Sequence, residues 1–296
     1  MPAPETSAES QPPIGVIGLG LLGSALADRL LDSGFAVRCW NRTREKAAPL
    51  LERGAQWSDN PFSDCETVVV CVYTADVVRE TLERMAPAFR GGRLVIDATT
   101  AGPDDAPQIG AWLARSGVGY LECPIAASSE QTRRGEAVAF VGGSAEDLRR
   151  ARPVVDALAA SAHHVGPWGA AAKFKLVNNL ILGLNRAALA EGLALAGRLG
   201  LELTQTLDVL RQCNAYSGVM DTKGAKMVAG DWSTQARLAQ HGKDVRIILQ
   251  QARSHGLELP LTSTHLGLLE RGEQLGYGDL DNSAILRVIA ESNKDN

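Results

Sequence analysis

The first half of the chain alternates short apolar runs rich in β-branched residues with longer runs whose apolar positions have a helical period. The strand-like runs are Ile14–Gly18, Ala36–Trp40, Thr67–Val72, Arg93–Asp97, Val118–Glu122, Ala137–Val141 and His163–Val165. Helices are predicted between most of them, at Leu21–Ser33, Ala75–Ala88, Asp104–Ser116 and Ala145–Leu158. Strands that alternate with helices of this length favour an α/β fold with a mostly parallel, doubly wound sheet.

The pattern changes after Gly166, and no further strand is predicted. Ala170 to about Leu199 is predicted to form one long helix joining two domains, and its three glycines are interpreted as sites of close helix packing: Gly183, Gly192 and Gly197. More helices are expected near 204–213, 217–228, 235–254, 260–275 and 281–291. The chain is therefore predicted to have a disordered tail at 1–12, a sheet-containing domain at 13–166 and an all-helical domain at 167–296.

Composition narrows the class of protein. The 296 residues carry a formal net charge of -4 and no dense Lys/Arg stripe, so neither nucleic acid nor an anionic membrane is expected as a partner. No apolar run is judged long enough to cross a bilayer. The five cysteines form no C-x-x-C pair and the N-terminus has no secretory pattern, which together predict a cytoplasmic protein. The pair His163-His164 has no further ligand at metal spacing, so no metal site is predicted.

A glycine motif directly follows the first predicted strand and opens the first predicted helix. Its residues are Gly18, Leu19, Gly20, Leu21, Leu22 and Gly23. Gly18 permits a tight turn, Gly20 lets a pyrophosphate approach the backbone, and Gly23 lets the helix pack on the strand. The free N–H groups at the helix N-terminus then attract phosphates. In this strand–loop–helix context the motif predicts a Rossmann domain that binds a dinucleotide.

The end of the second predicted strand indicates which dinucleotide is bound. An NAD site usually has Asp or Glu here, but this chain has Asn41, Arg42, Thr43 and Arg44. Asn and Thr can donate hydrogen bonds to a 2′-phosphate, and Arg adds a planar cation. The sequence therefore predicts that NADP(H) is preferred over NAD(H). In the alternative, Arg42 and Arg44 are merely solvated and both cofactors bind.

A second candidate site lies on the long helix. Lys175 and Asn179 are four residues apart and share one helix face, next to apolar residues such as Leu176 and Leu180. Polar groups in such surroundings need partners or a ligand. In the alternative, Lys175 extends to solvent and the pair Asn178-Asn179 bridges helices.

Together these motifs resemble those of the β-hydroxyacid dehydrogenases, which include 3-hydroxyisobutyrate dehydrogenase and the glyoxylate/succinic semialdehyde reductases. The resemblance covers nearly the whole chain from Ile14 and includes the glycine loop and segments 97–100, 123–125, 175–179 and 243–244. It implies hydride transfer between a nicotinamide and a small alcohol or carbonyl compound, with Lys175 as general acid/base. It also implies that Asn178 and Asn179 hold the substrate and that the protein is a homodimer.

Further site residues follow from the same resemblance. The cofactor contacts that it implies are Val72, Tyr73, Thr74, Thr99, Thr100 and Lys243, with Asp244 orienting Lys243. Tyr216 and Ser217 align with a segment that lines the substrate cleft in the family. Without the resemblance, Tyr216-Ser217-Gly218 would be interpreted as a helix-capping turn.

The substrate loop departs from the family pattern. Where the family has a serine followed by two glycines that hold a substrate carboxylate, this chain has Ala126, Ala127 and Ser128. Ala126 has no hydroxyl group to donate, although Ser128, Ser129 or Arg133 could compensate. Two alternatives follow: an NADPH-dependent imine reductase, whose loop is more apolar but which usually lacks the lysine, and a catalytically silent dinucleotide-binding sensor.

Overall fold

The computed structural model describes residues 12–291, so nearly all of the predicted tail at 1–12 lies outside the described residues. The chain divides after Ala172 into two compact units. The first unit contains the strands β1 Ile14–Ile17, β2 Val37–Trp40, β3 Gln56–Trp57, β4 Thr67–Val70, β5 Leu94–Asp97, β6 Gly119–Glu122, β7 Ile125–Ala126, β8 Val138–Gly142 and β9 Ser161–Gly166. Its helices are α1 Leu21–Asp32, α2 Ala48–Glu52, α3 Pro61–Asp64, α4 Ala75–Met85, α5 Asp105–Ala114, α6 Ser129–Arg133 and α7 Ala145–Leu158.

The strands form one sheet in the order β3-β2-β1-β4-β5-β6-β8-β7, and β9 pairs with β8. The six strands from β3 to β6 are parallel, as predicted, whereas β8 runs antiparallel to β6 and β7. Since the chain passes from β1 to β2 on one side and later to β4 on the other, the strand order reverses at β1. Ile17 and Val70 are in register at this point. Ligands of open α/β sheets bind beyond the carboxyl ends of strands at such a reversal.

Alternate residues of the central strands pack into two separate cores. Val16 and Val69 lie in one buried cluster with residues of α1 and α7. Ile17 and Val70 lie in the other, with residues of α4 and α5. Both faces of the sheet are therefore covered, which explains why β1 and residues Val68–Val70 of β4 are apolar instead of alternating with polar residues.

The second unit is helical, as predicted. Its helices are α8 Ala170–Arg198 (which begins in the first unit), α9 Leu203–Leu210, α10 Ala225–Ala229, α11 Leu238–Ser254, α12 Pro260–Gln274 and α13 Ile285–Glu291. The predicted helix near 217–228 is instead a π-helical turn at Met220–Gly224 followed by α10. A buried core containing Leu193, Val245 and Leu269 joins these helices.

The glycines of α8 do not share one role. A Cβ atom at Gly183 would lie 2.4 Å from Nε2 of His241, so close packing requires glycine there. A Cβ at Gly192 would meet no atom within 4 Å, and one at Gly197 would make only an ordinary contact at 3.8 Å. The packing interpretation is therefore right for Gly183 and wrong for Gly192 and Gly197.

The length and apolarity of α8 also correct a sequence expectation. Among the described residues it is the one helix that is long and apolar enough to cross a membrane, with a window of mean hydropathy 1.3 of which 39% is buried. The expectation that no apolar run has this length is therefore wrong. Core helices of globular proteins have the same length and composition, so this is weak evidence for a membrane span.

Candidate functional site

The glycine loop between β1 and α1 requires two of its glycines for steric reasons. Gly18 has a φ of +94°, and a Cβ there would lie 2.2 Å from the carbonyl oxygen of Cys71. A Cβ at Gly23 would lie 1.9 Å from the carbonyl oxygen of Gly18. The first and last glycines therefore hold α1 against the ends of β1 and β4, as predicted from the motif.

The middle of the loop is open toward solvent. A Cβ at Gly20 would meet nothing within 4 Å. Gly20 is the N-cap of α1 and supplies no side-chain cap, so the first-turn N–H groups, among them those of Leu21 and Leu22, have no acceptor within the helix. An open backbone with unused donors at a helix N-terminus fits a dinucleotide pyrophosphate.

Asn41 connects this loop to the segment after β2. Its Oδ1 accepts a hydrogen bond from the N–H of Leu19 at 2.9 Å, and its Nδ2 donates to the carbonyl oxygen of Thr43 at 2.7 Å. One N–H of the Asn41 amide is therefore already used within the protein. The sequence suggested only a contact to the cofactor, whereas the structure adds a positioning role.

The neighbouring side chains are exposed where a 2′-phosphate would be recognised. Arg42 and Thr43 both lie at the surface. The guanidinium of Arg44 stacks over the ring of Trp57, 4.9 Å from its centroid. Position 41, directly after β2, holds the amide of Asn41 and not the carboxylate that an NAD site usually has there.

The ends of β4 and β5 are tied together by hydrogen bonds. The N–H of Val72 donates to Oγ1 of Thr99 at 3.1 Å, and the N–H of Thr99 donates to Oδ1 of Asp97 at 2.9 Å. Thr74 caps α4 through a bond from the N–H of Val77 at 3.3 Å. The structure thus places Val72, Thr74 and Thr99 at the expected edge, but it uses both threonine hydroxyls as acceptors within the protein.

The other two predicted residues at this edge are more accessible. The side chain of Tyr73 is 52% exposed, and Thr100 is half-buried. Neither side chain is fully buried.

Asp97 is a buried carboxylate to which sequence reasoning gave no role of its own. Its Oδ2 accepts a hydrogen bond from the hydroxyl of Tyr120 at 2.9 Å. Burial raises the pKa of Asp97 to about 6, although the hydrogen bonds from Thr99 and Tyr120 oppose the rise. An acid at the end of a buried strand was the available signal, but its partner Tyr120 comes from a different strand.

Glu122 is the second such group. Its carboxylate accepts hydrogen bonds from the N–H groups of Ala171 at 2.9 Å and Ala172 at 3.3 Å. The side chain therefore caps the N-terminus of α8, where a negative charge is favourable. Burial nevertheless raises the pKa of Glu122 above its ordinary value.

The substrate loop leaves few groups free to hold a carboxylate. Ala126 of β7 pairs with Val138 of β8. Ser128 forms a capping box with Gln131: its Oγ accepts from the Gln131 N–H at 3.2 Å, and its own N–H donates to Oε1 of Gln131 at 3.0 Å.

Arg133 and Ser129, which could replace the missing hydroxyl group at position 126, are also engaged or buried within the protein. Nε of Arg133 donates to Asp28 at 2.9 Å, and Ser129 is buried. Ala127 is half-buried and, like Ala126, has no polar side-chain atom.

The helical unit brings the predicted catalytic residues together around a carboxylate. Asn179 donates through Nδ2 to Oδ2 of Asp244 at 2.9 Å, and Nζ of Lys243 lies 3.3 Å from Oδ1 of Asp244. Asn178 donates to Oδ1 of Asn179 at 3.1 Å. Lys175 lies on the same face of α8 as Asn179 and is buried, so the alternative in which it extends to solvent is not supported.

Lys175 has the electrostatics of a proton-transfer group. Burial lowers its pKa to about 8; the negative charge of Asp244 opposes this change, and the positive charge of Lys243 adds to it. Conversely, burial raises the pKa of Asp244, while the two lysines and Asn179 oppose that rise. A lysine with a pKa near neutral can exchange a proton under ordinary conditions.

Tyr216 and Ser217 lie in the turn before the π-helical segment. The hydroxyl of Tyr216, whose side chain is exposed, donates to Oδ2 of Asp221 at 2.6 Å. The carbonyl oxygen of Ser217 accepts from the N–H of Met220 at 2.9 Å. These contacts are those of a turn, and a substrate contact for either residue stays a prediction.

Comparisons with known proteins identify both units. Residues 13–166 match the NAD binding domain of 6-phosphogluconate dehydrogenase, and residues 169–289 match the NAD-binding domain of NADP-dependent 3-hydroxyisobutyrate dehydrogenase. The chain belongs to the β-hydroxyacid dehydrogenase family. It is therefore an NAD(P)-dependent oxidoreductase.

Individual relatives are similar over almost their full length. Glyoxylate/succinic semialdehyde reductase 1 of Arabidopsis thaliana is 28% identical over 93% of this chain and 98% of its own length. The crystal structure of 3-hydroxyisobutyrate dehydrogenase from Salmonella typhimurium is 28% identical, with a TM-score of 0.86, and covers 93% of this chain and 99% of that one. An imine reductase from Pseudomonas sp. shares the fold at 21% identity and a TM-score of 0.66, covering 94% of this chain and 99% of that one.

Proposed function

We propose that this protein is an NADP(H)-dependent dehydrogenase or reductase that interconverts a small alcohol and the corresponding carbonyl compound, with Lys175 as general acid/base. The observation that carries the proposal is the buried Lys175 beside the hydrogen-bonded pair Asn179–Asp244. Its lowered pKa suits proton exchange with a carbinol or carbonyl oxygen.

Each residue of this cluster has a separate task. Lys175 gives a proton to the carbonyl oxygen during reduction and takes it back during oxidation. Asp244 accepts the hydrogen bond of Asn179 and so fixes the orientation of its amide, which holds the same substrate oxygen. Lys243 offsets the charge of Asp244, which would otherwise stabilise the charged form of Lys175. When bound, the nicotinamide supplies or accepts the hydride.

The preference for NADP(H) is supported by the segment after β2. Arg42 and Thr43 are exposed and offer a cation and a hydroxyl, and position 41 holds an amide in place of the acid that would repel a phosphate. Asn41 keeps this segment at the glycine loop through its bond from Leu19. Comparable dissociation constants for NADH and NADPH would contradict the preference.

The substrate loop favours a substrate that does not depend on a carboxylate anchor at this point. Ala126 lacks a hydroxyl group, Ser128 is engaged in its capping box and Arg133 is paired with Asp28. The Arabidopsis relative is named for two aldehydes that carry carboxylates. We therefore expect this protein to reduce neutral aldehydes or ketones at least as well as such acids.

Two alternatives remain distinct from this proposal. An imine reductase would not require Lys175, and a dinucleotide sensor would bind cofactor without turnover. The arrangement of Lys175, Asn179 and Asp244 favours a carbonyl-reducing enzyme over both, because it would have no task in either.

The long helix α8 supports a homodimer. The protein is expected to lie in the cytoplasm, and neither nucleic acid nor a membrane is expected as a partner. The exposed side of α8 carries the apolar residues Phe174, Val177, Ile181 and Leu195 at helical spacing, and the exposed Leu199 follows directly after the helix. An exposed apolar face of this length is typical of a protein–protein contact. Light scattering at a monomer mass would contradict the dimer.

Consumption of reduced cofactor against a substrate panel tests the proposed function. The panel contains neutral aldehydes, the same chain lengths with a terminal carboxylate, 2-keto acids and cyclic imines, each with NADPH and with NADH. Turnover of carbonyl compounds with NADPH is expected. Turnover of imines alone, or tight NADPH binding without any turnover, would overturn the proposal.

A further inference from the structure

A second polar cluster lies inside the helical unit, apart from the groups that the proposed reaction uses. It consists of Arg186 on α8, His241 on α11 and His265 on α12. These three residues are only 3%, 6% and 3% exposed, respectively. Arg186 lies eleven residues after Lys175, so about 16 Å of helix separates their backbones. This distance places Arg186 beyond the reach of a small substrate held at Lys175, although the charge of Lys175 still acts on His241.

The two imidazoles converge on Gly183. Their ring centroids are 5.1 Å apart and the rings are tilted by 47°. A Cβ on Gly183 would lie 2.4 Å from Nε2 of His241 and 2.8 Å from Cε1 of His265. Gly183 precedes Arg186 by one helical turn on the same face of α8. The missing side chain is therefore what admits the two rings next to Arg186.

Four nitrogen atoms of this cluster lack hydrogen-bond partners. Within residues 12–291, neither Nε nor Nη1 of Arg186 has one, and neither does Nε2 of His241 or of His265. An unsatisfied buried polar group costs about 1–3 kcal/mol, and more when it is charged. A fold that gathers four of them at one place gains stability when an external acceptor satisfies them.

The cluster also contains the positive charge of Arg186, and the acid that attracts this charge is shared with another cation. Burial lowers the pKa of Arg186 to about 10, so the guanidinium remains charged at neutral pH. Asp281 attracts it, but the two oxygens of that carboxylate already bind Nζ of Lys223 at 2.9 and 2.8 Å. Two cations therefore share a single anion in the interior.

The histidines can act as neutral donors here. Burial, and then the charge of Arg186, lower the pKa of both imidazoles, for His265 to about 4. A neutral imidazole protonated on Nε2 donates a hydrogen bond. A metal cation is unsuitable, since Arg186 would repel it and the described residues hold no group of three or more metal-ligating side chains.

We propose that Arg186, His241 and His265 form an internal site for a small monovalent anion, of the size of chloride or formate. The anion would balance the excess charge and accept hydrogen bonds from the guanidinium and both imidazoles. The two ring centroids are 5.1 Å apart, so a compact anion suits the site better than a large one. The anion takes no part in the proposed reaction, so the test of the site does not require turnover.

Thermal unfolding in different salts tests the site in solution. The parent is compared with Arg186→Met, which removes the charge at similar length, and with Arg198→Met, which removes an exposed arginine from the same helix. Sodium chloride, sodium formate and sodium sulfate are compared at equal ionic strength. Chloride or formate at ten times its dissociation constant should raise the midpoint of the parent and of Arg198→Met by roughly 3–6 °C beyond sulfate.

Arg186→Met should lose this anion-specific rise, and it should fold at low salt because it no longer buries an unbalanced charge. An equal rise in Arg186→Met, or no difference between chloride, formate and sulfate in the parent, would overturn the proposal.

Crystals of the parent grown with sodium bromide give a measurement that needs no variant. An anomalous peak beside Arg186 and the two imidazoles is expected, and a larger response to formate than to chloride in solution would identify a carboxylate as the ligand. Absence of the peak contradicts the site. A peak without any chloride or formate effect in solution means binding at crystal concentration only, which also overturns the proposal.

Discussion

The lowered pKa of Lys175 predicts how the rate of carbonyl reduction depends on pH. Only the ammonium form can give a proton to the carbonyl oxygen, so kcat/KM for reduction should be constant at low pH and fall above a midpoint of about 8. For the reverse oxidation the neutral amine is required, so kcat/KM should rise with pH toward the same midpoint. An ordinary lysine, with a pKa of about 10.4, would leave reduction nearly unchanged up to pH 9.

The size of the effect follows from the protonated fraction. With a pKa of about 8, roughly one molecule in eleven is protonated at pH 9, so kcat/KM for reduction should be about tenfold below its plateau. Lys243→Met removes a cation that lowers the pKa of Lys175, so it should move the midpoint to higher pH. Lys173→Met removes an exposed lysine two residues away and is the matched control, with no expected movement.

Initial rates at limiting substrate and saturating NADPH, measured from about pH 6 to pH 10, give these midpoints. Lys243→Met is expected to lower the plateau as well, because Lys243 is a predicted cofactor contact, but only the midpoint reports on the pKa. A midpoint at or above pH 10 in the parent would refute the reasoning. A midpoint that is the same in Lys243→Met as in the parent would also refute the reasoning.

Three further predictions concern the glycines and the buried histidines. Gly20→Ala should weaken NADPH binding by at least about tenfold in calorimetry, because the added Cβ occupies the open loop. It should leave the unfolding midpoint unchanged, because this Cβ meets no protein atom. Gly192→Ala is the control and should change neither the affinity for NADPH nor the fold. Gly183→Ala should lower the free energy of unfolding in denaturant by about 1–3 kcal/mol, because the added Cβ would clash with His241. This loss should outweigh the better helix propensity of alanine. A variant more stable than the parent would contradict the contact. Burial lowers the pKa values of His241 and His265, so their contribution to stability is present above pH 6.5 and is lost as the pH falls toward about 4. His265→Leu should therefore reduce the loss of unfolding free energy between these pH values. An unchanged dependence of the unfolding free energy on pH would contradict this prediction.

Much of the fold could be predicted from periodicity alone. The helix Ala145–Leu158 was predicted with the bounds that it has, and seven strands were predicted to within two residues at each end. The strands Gln56–Trp57 and Ile125–Ala126 were missed because two residues are too few to show an alternating pattern. They form only by pairing with β2 and β8, which is information from distant parts of the chain.

The candidate site was predictable where a motif is local. Gly18 and Gly23 have the steric roles that their spacing implied, and the role of Gly20 toward a pyrophosphate stays a prediction. The bond from Leu19 to Asn41 was not predictable, because it joins segments 22 residues apart whose proximity depends on the sheet.

The same limit explains the buried groups that sequence reasoning missed. Glu122 meets the start of α8 about 50 residues later, and nothing near either segment in sequence indicates the contact. The cluster of Arg186, His241 and His265 comes from three helices, so each residue in isolation is typical of a solvated helix face.

The most direct test of the account compares Lys175→Met with Lys173→Met in NADPH-dependent reduction of the carbonyl compound that the parent reduces fastest. Lys175→Met should lose at least about 100-fold in kcat while its dissociation constant for NADPH stays within about twofold of the parent, and Lys173→Met should retain full activity. Turnover by Lys175→Met at the parent's rate would contradict the assignment of Lys175 as the group that moves the proton.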